Sequence, residues 1–301
     1  MLNPILSFSA TRRMRSFRTL LIAAAYETAL LILALVLLKP FTGGKIFLNT
    51  MQRGPMCYAV LLGAQFLLII LIAPAMTSGS IAGERERQTL DLLLVTNTRS
   101  FRIITGKIME SFVLLALMII CGLPVMCLCL MTGGVNIGRI LLGELFLLAE
   151  ALACVSVGVF CSSICRSTVV SGVMSYVILL GIGAVTALPF LLGYPVKVTN
   201  VVYDQMKYAT LTPAEARSMI SPLLRLNPGF GLVCLIQGQT QALTGRLTGN
   251  GWGRLYCTWL LMDRGGCETI AAINAGLMVL MSALLAGISA LFVRSGRKRK
   301  Q

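Results

Sequence analysis

Three carboxylates stand inside long apolar stretches of this chain: Glu27, Glu144 and Glu150. A charged carboxylate facing lipid at the centre of a bilayer costs on the order of 3 kcal/mol. No Lys or Arg lies in the middle of the same stretches to pair with them. Each must therefore be protonated, hydrated in a cavity, or hydrogen-bonded to a neighbouring helix. Two roles fit such residues. One is a path that binds protons or a cationic part of a cargo; the other is a buried polar contact that holds helices or subunits together. Glu144 and Glu150 are six residues apart, about 240° around a helix, so they are not expected to point into one site.

A second set of reactive groups is concentrated in GSIAGERERQTLDLLLVTNTRSFRIITGK, residues 79–107. Glu84, Arg85, Glu86 and Arg87 stand in a row, and Thr89 and Asp91 follow. Four consecutive charged residues cannot sit in hydrocarbon, so the segment faces water or another protein. Read as a helix from Ser80, it carries the preceding apolar run out of the membrane, and Gln88, Thr89 and Asp91 continue it. Leu90, Leu92, Leu93 and Leu94 form an apolar face that needs cover. Asn97 and Thr98 break the helix, and Gly106-Lys107 leads into the next apolar run. A short amphipathic helix flanked by charge suits the groove of a soluble partner. Periodicity alone allows, equally, a helical hairpin lying on the membrane surface.

The residue inventory is poor in catalytic material. There is no His, which removes Ser–His and Cys–His nucleophiles and the HExxH metal motif. No G-x-x-x-x-G-K-[ST] occurs; TGGK at Thr42 and TGK at Thr105 lack the first glycine and the loop spacing. The chain therefore holds no P-loop, and ATP, if it drives the protein, is bound by another subunit. Cys161 and Cys165 are one helical turn apart, but no second pair has zinc spacing, so no metal site is expected.

The elements that carry these residues are read from hydropathy. Of the 301 residues 56% are hydrophobic and 12% charged, about half the charged share of an ordinary soluble domain. Apolar runs of about twenty residues are long enough to cross a bilayer as helices. Six are present, at 19–38, 57–76, 111–131, 140–161, 168–192 and 270–293. The first is too long for a signal peptide's apolar core, and no small-residue cleavage site follows it. The expected fold is an all-α polytopic membrane protein with this division: an amphipathic or basic lead-in at 1–18, five spans within 19–192 with a charged coupling loop at 77–110, an extracytoplasmic segment with short or re-entrant helices at 193–269, a sixth span at 270–293 and a basic tail at 294–301.

Lys and Arg placement sets the orientation. With six spans both termini lie on one side. That side holds 15 basic residues: Arg12, Arg13, Arg15, Arg18, Arg85, Arg87, Arg99, Arg102, Lys107, Arg166 and the Lys and Arg residues of the tail. The short loops of the other side hold 4, namely Lys39, Lys45, Arg53 and Arg139. Both termini and the charged loop are thus expected in the cytoplasm. The net charge of +15 then needs no nucleic acid; the tail RSGRKRKQ suits anionic lipid headgroups.

The segment 193–269 is too long for a plain loop and should contain structure. Thr212 and Pro213 read as an N-cap and first helical residue. In LNPGFGLVCLIQGQT a Pro-Gly break precedes an apolar run too short to span, which should dip into the outer leaflet or pack on the spans. Trp252, Tyr256 and Trp259 suit the outer interface. Seven of the ten cysteines lie in or beside spans; Cys234, Cys257 and Cys267 lie in this segment, where one disulfide would leave one thiol over. Gly181, Gly183 and Gly287 read as ordinary close-packing residues of the spans.

With these residues in view, the chain resembles the type-2 ATP-binding-cassette permeases, the membrane subunits of an exporter class. The resemblance is carried by Gly79, Ile81, Ala82, Glu84, Arg85, Glu86, Thr89, Leu90, Asp91, Leu93 and Leu94, followed by Gly106-Lys107 at the opening of the third span. The opening NPIL with its basic lead-in and the six-span layout agree with it. Asn97 stands where a Pro is common, and no acidic residue precedes Glu27. The resemblance implies a permease subunit in the bacterial cytoplasmic membrane that pairs with a second permease copy or paralogue. It implies a separate cytoplasmic P-loop ATPase that binds ATP and Mg, with no cofactor in this chain. It also implies that Glu84, Arg85, Glu86, Arg87, Thr89 and Asp91 make or support the contact through which the ATPase drives the pathway. The alternative from another class is a membrane sensor or scaffold that docks a regulatory protein without transport. A membrane-embedded enzyme ranks last, because His and clustered Asp or Glu motifs are missing.

Overall fold

A computed structural model of the chain describes residues 17–38, 50–89, 100–131, 135–205, 226–240 and 264–298. Among them every regular element is helical: α1 (Phe17–Leu38), α2 (Thr50–Thr77), α3 (Ala82–Glu86), α4 (Ser100–Met131), α5 (Ile137–Ile164), α6 (Thr168–Gln205), α7 (Pro228–Thr240) and α8 (Arg264–Lys298). Six of these, all but α3 and α7, are long and apolar enough to span a membrane. An all-helical result is what hydrocarbon demands, since a helix satisfies its backbone polar groups within one segment.

The six spans fall on the six apolar runs, but several helices continue past them. Thr50 begins α2 before the apolar run, and Ser100 begins α4 three turns early, so that Lys107 and Glu110 are helical. At its other end α6 runs on to Gln205, into the segment expected to be separate, and α8 takes in both Arg264 and Lys298 of the tail. The reason is physical: hydropathy marks where lipid begins, whereas a helix ends only where its backbone bonds or side chains stop supporting it.

The centre of the bundle is α5, which packs against α2, α4, α6, α7 and α8. Of its apolar stretch 72% is buried within the chain, against 17% for α1 and 11% for α6. Its residues explain this position: Ala151, Ala153, Ser156, Gly158, Ser162 and Ser163 are small and let neighbours approach. A Cβ at Gly158 would collide with the Thr77 side chain, so this glycine sets the closeness of α2 to α5. Gly181, Gly183 and Gly287 do not play that part, because a Cβ there would meet nothing within 4 Å.

With 13 residues, α7 is about 20 Å long and cannot cross the core. Of the two placements open to it, it takes packing on the spans: Phe230, Leu232, Cys234, Leu235 and Ile236 are buried against α8, α5 and α2. Pro228 and Gly229 open the helix instead of breaking the chain. Asn227 caps it, with Oδ1 accepting from Phe230 N (3.2 Å), while its Nδ2 donates to Gly183 O of α6 (2.9 Å). Asn274 Nδ2 of α8 donates to Asn227 O (3.1 Å), which ties the start of α7 to two spans. Cys234 is a free, buried thiol. The lead-in before Phe17, Asp91 with the leucines around it, Thr212, Pro213, Trp252, Cys257, Tyr256 and Trp259 lie outside the described residues.

Candidate functional site

The charged segment is held against the α5–α6 corner. After Thr77, α2 stops; Ser78, Gly79 and Ser80 make a turn and α3 begins at Ala82. Thr77 Oγ1 donates back to Ala73 O (2.8 Å), and Ser80 N to Thr77 O (3.0 Å). The helix expected to run from Ser80 past Thr89 is only five residues long. It ends because Gln88 adopts φ 57°, a left-handed conformation that a continuing helix cannot accommodate. Thr89 folds back, its N and Oγ1 both donating to Glu84 O (3.0 and 3.2 Å).

Ser162 of α5 organises the turn. Its Oγ donates to Ser78 O (2.9 Å) and accepts from Ile81 N and Ala82 N (2.9 Å each). That uses the one proton and both lone pairs of a hydroxyl. Ile81 N and Ala82 N belong to the start of α3, where backbone N–H groups have no partner within the helix, so α5 caps α3 from outside.

The three charges that follow are engaged with the chain itself. Arg85 covers the end of α5: Nη1 donates to Cys165 O (2.9 Å) and Ile164 O (3.4 Å), and Nη2 to Ser163 O (3.0 Å). A guanidinium there meets orphan carbonyls and the negative end of the helix dipole. Glu86 does the converse for α6, its Oε1 accepting from Thr168 N (2.8 Å) and Thr168 Oγ1 (3.4 Å) at the positive end. Glu84 pairs with Lys107 Nζ of α4 at 2.7 Å, and Lys107 also lies 3.8 Å from Glu110. Thus Glu84, Arg85 and Glu86 tie one short helix to α4, α5 and α6. Arg87 and Thr89 are exposed.

Of the membrane carboxylates, Glu27 and Glu144 come together and Glu150 stands apart. Glu144 is 5% exposed and Glu150 0%. Glu144 of α5 lies beside Gln65 of α2, and Tyr26 and Glu27 of α1 are within electrostatic range of it. A Cβ at Gly122 of α4 would collide with the Gln65 amide, so the missing side chain makes room for this cluster. The Gln65 amide stands as the hydrogen-bonding neighbour of both Glu144 and Tyr26, whereas Glu27 Oε1 is buried without a hydrogen bond. Both oxygens of Glu150 are in the same condition, one turn from Cys154. Sequence reading missed Ser162, Gln65 and Tyr26. Gln65 could have been found by the rule that found the glutamates, since a lone amide in an apolar run is also costly. Ser162 carried no such signal, because serine is ordinary in spanning helices.

The profile of the ABC-2 family transporter proteins matches residues 5–216. The chain belongs to this family. It is a multi-pass membrane permease of an ABC transporter. Members of the family generally associate with an ABC ATPase subunit. A search of curated proteins found no match to the chain. The matched stretch takes in α1–α6, so both the α3 corner and the Glu144 cluster of this permease lie within it.

Proposed function

We propose that this permease forms the export pathway of a bacterial ABC transporter, together with a second permease copy in the cytoplasmic membrane, both termini inside. A separate cytoplasmic ATPase, which binds ATP and Mg, drives it by pressing on the segment between α2 and α4. The observation that carries this reading is the fastening of α3 to three spans by Glu84, Arg85 and Glu86. A push on a loosely tethered loop would be dissipated in the loop. A push on α3 reaches the ends of α5 and α6 directly, and α5 is the helix on which most others pack.

The charged residues therefore divide their work. Arg85 and Glu86 transmit, because their polar atoms are spent on α5 and α6. Arg87, Thr89 and Asp91 are the residues that offer contact to the ATPase. Co-purification with a P-loop ATPase is the first test. The double substitution Glu84→Ala, Glu86→Ala should then leave the spans folded and lower permease-stimulated ATP hydrolysis several-fold. Unchanged association together with unchanged stimulated hydrolysis would overturn the coupling role.

A further inference from the structure

We infer that Cys57 of α2 and Cys129 of α4 are a disulfide site that joins these two spans at the end of the bundle opposite α3. The pairing rests on the packing of the chain alone. The compartment that oxidises it rests on the orientation proposed above, with α3 inside.

The register of α2 against α4 sets the two thiols level. Gln65 of α2 lies against Gly122 of α4, where a Cβ would collide with its amide. Eight residues back along α2 from Gln65 stands Cys57, and seven residues on along α4 from Gly122 stands Cys129. Those steps rise about 12 and 11 Å in the same direction, because the two spans run antiparallel on either side of α3. They also stay on the contact faces: Cys57, Leu61 and Gln65 are buried at successive turns of α2, and Gly122, Met126 and Cys129 at successive turns of α4. Cys57 is 3% exposed and Cys129 0%, within one apolar core. Their side chains are hydrogen-bonding neighbours, as thiols.

This arrangement suits a bond. A disulfide needs Cα atoms about 4.4–6.8 Å apart and side chains directed at each other. Helices packed at about 8–10 Å, with Cα atoms on cylinders of radius about 2.3 Å, bring facing Cα atoms to about 3.4–5.4 Å. Gly122 has no side chain to hold the two axes apart, so they can approach closely here. Cys127 is the rival partner on α4, but it is only partly buried and lies about 200° around the helix from Cys129.

From Cys57 to Thr77 α2 rises about 30 Å, the thickness of the hydrocarbon core, so the pair lies a bilayer away from α3. With α3 in the cytoplasm the thiols are at the outer end, where disulfides form and persist. The electron acceptor is the disulfide of a thiol oxidoreductase. One cysteine attacks it as the thiolate, giving a mixed disulfide and releasing one thiol; the second cysteine then displaces the other thiol. Two electrons and two protons leave the permease, and one S–S bond joins α2 to α4. Since these spans enter and leave the α3 segment, the bond ties their far ends and leaves the α3 ends to move.

The test maps thiols in the full-length permease. One sample comes from cells lysed in denaturant with N-ethylmaleimide. A second is reduced, purified in nanodiscs and treated with diamide, whose azo group takes up the two electrons and two protons; it is then unfolded and alkylated. Digestion without reductant should give a linked Cys57–Cys129 peptide in both samples, and two fewer alkylated thiols per chain than in the reduced protein. Cys129→Ser should abolish the linkage and Cys127→Ser should leave it; if Cys129→Ser does not fold, the map of the parent decides. Linkage with diamide but not in cells would support the pair and overturn the outer placement. Both thiols alkylated in both samples would overturn the proposal, as would a bond from Cys57 to Cys127.

Discussion

The two halves of α5 are built to opposite rules. At the Ser162 end most polar groups of the junction are matched: one hydroxyl uses all three of its bonding positions, a guanidinium covers three carbonyls, and a carboxylate caps the next helix, while Ser80 Oγ and Glu84 Oε2 are buried without a hydrogen bond. Some 18 residues away, about 27 Å along the axis, Glu144 is buried with the Gln65 amide beside it, and Glu150 lies between, buried without a hydrogen bond. The matched end holds the helix to α3 and α6 and suits force transmission. The unmatched end is costly to keep, and it is the part that a ligand or proton can change. A single rigid helix connects them, so movement of one end is felt at the other.

The comparison is broken most directly at Ser162. Replacing it by Val leaves Ser78 O, Ile81 N and Ala82 N unpaired in a buried turn. At about 1–3 kcal/mol for each unsatisfied group, the expected loss of stability is on the order of 3 kcal/mol, read by denaturant unfolding of the purified permease. Arg85→Lys should cost less, about 1–2 kcal/mol, because a lysine keeps the charge but cannot reach three carbonyls in a fork. Its effect on ATPase stimulation should exceed that of Arg87→Lys, whose side chain is exposed. Glu84→Gln should cost about 0–1 kcal/mol and lose its effect at high salt, since the pair with Lys107 is partly open to solvent.

Glu150→Gln sharpens the contrast from the other side. It keeps the side chain's shape and removes no hydrogen bond, so the permease should still fold and assemble. Transport in a reconstituted complex should nevertheless fall. Loss of assembly with the same substitution would place Glu150 among the structural contacts and make the two halves of α5 alike.

Much of this was legible in advance because a bilayer imposes a simple rule. A span needs about twenty apolar residues, so six of them could be read from hydropathy, and Glu27, Glu144 and Glu150 stood out as violations. The early start of α4 and the continuation of α6 to Gln205 were not legible, since outside hydrocarbon that rule no longer applies. The length of α3 depended on one backbone angle at Gln88, a residue with no intrinsic preference for it.

By itself, then, the sequence determined an all-helical membrane protein, the six spans and the identity of the charged segment between the second and third. It did so because solvation in lipid acts on each residue locally. Only the tertiary structure decided that Arg85 and Glu86 cap two other helices, that Ser162 fastens the turn, and that Glu144 meets Gln65 and Tyr26 while Glu150 does not. Those pairings join residues some 80 to 120 positions apart, and their partners are chosen by how the helices pack.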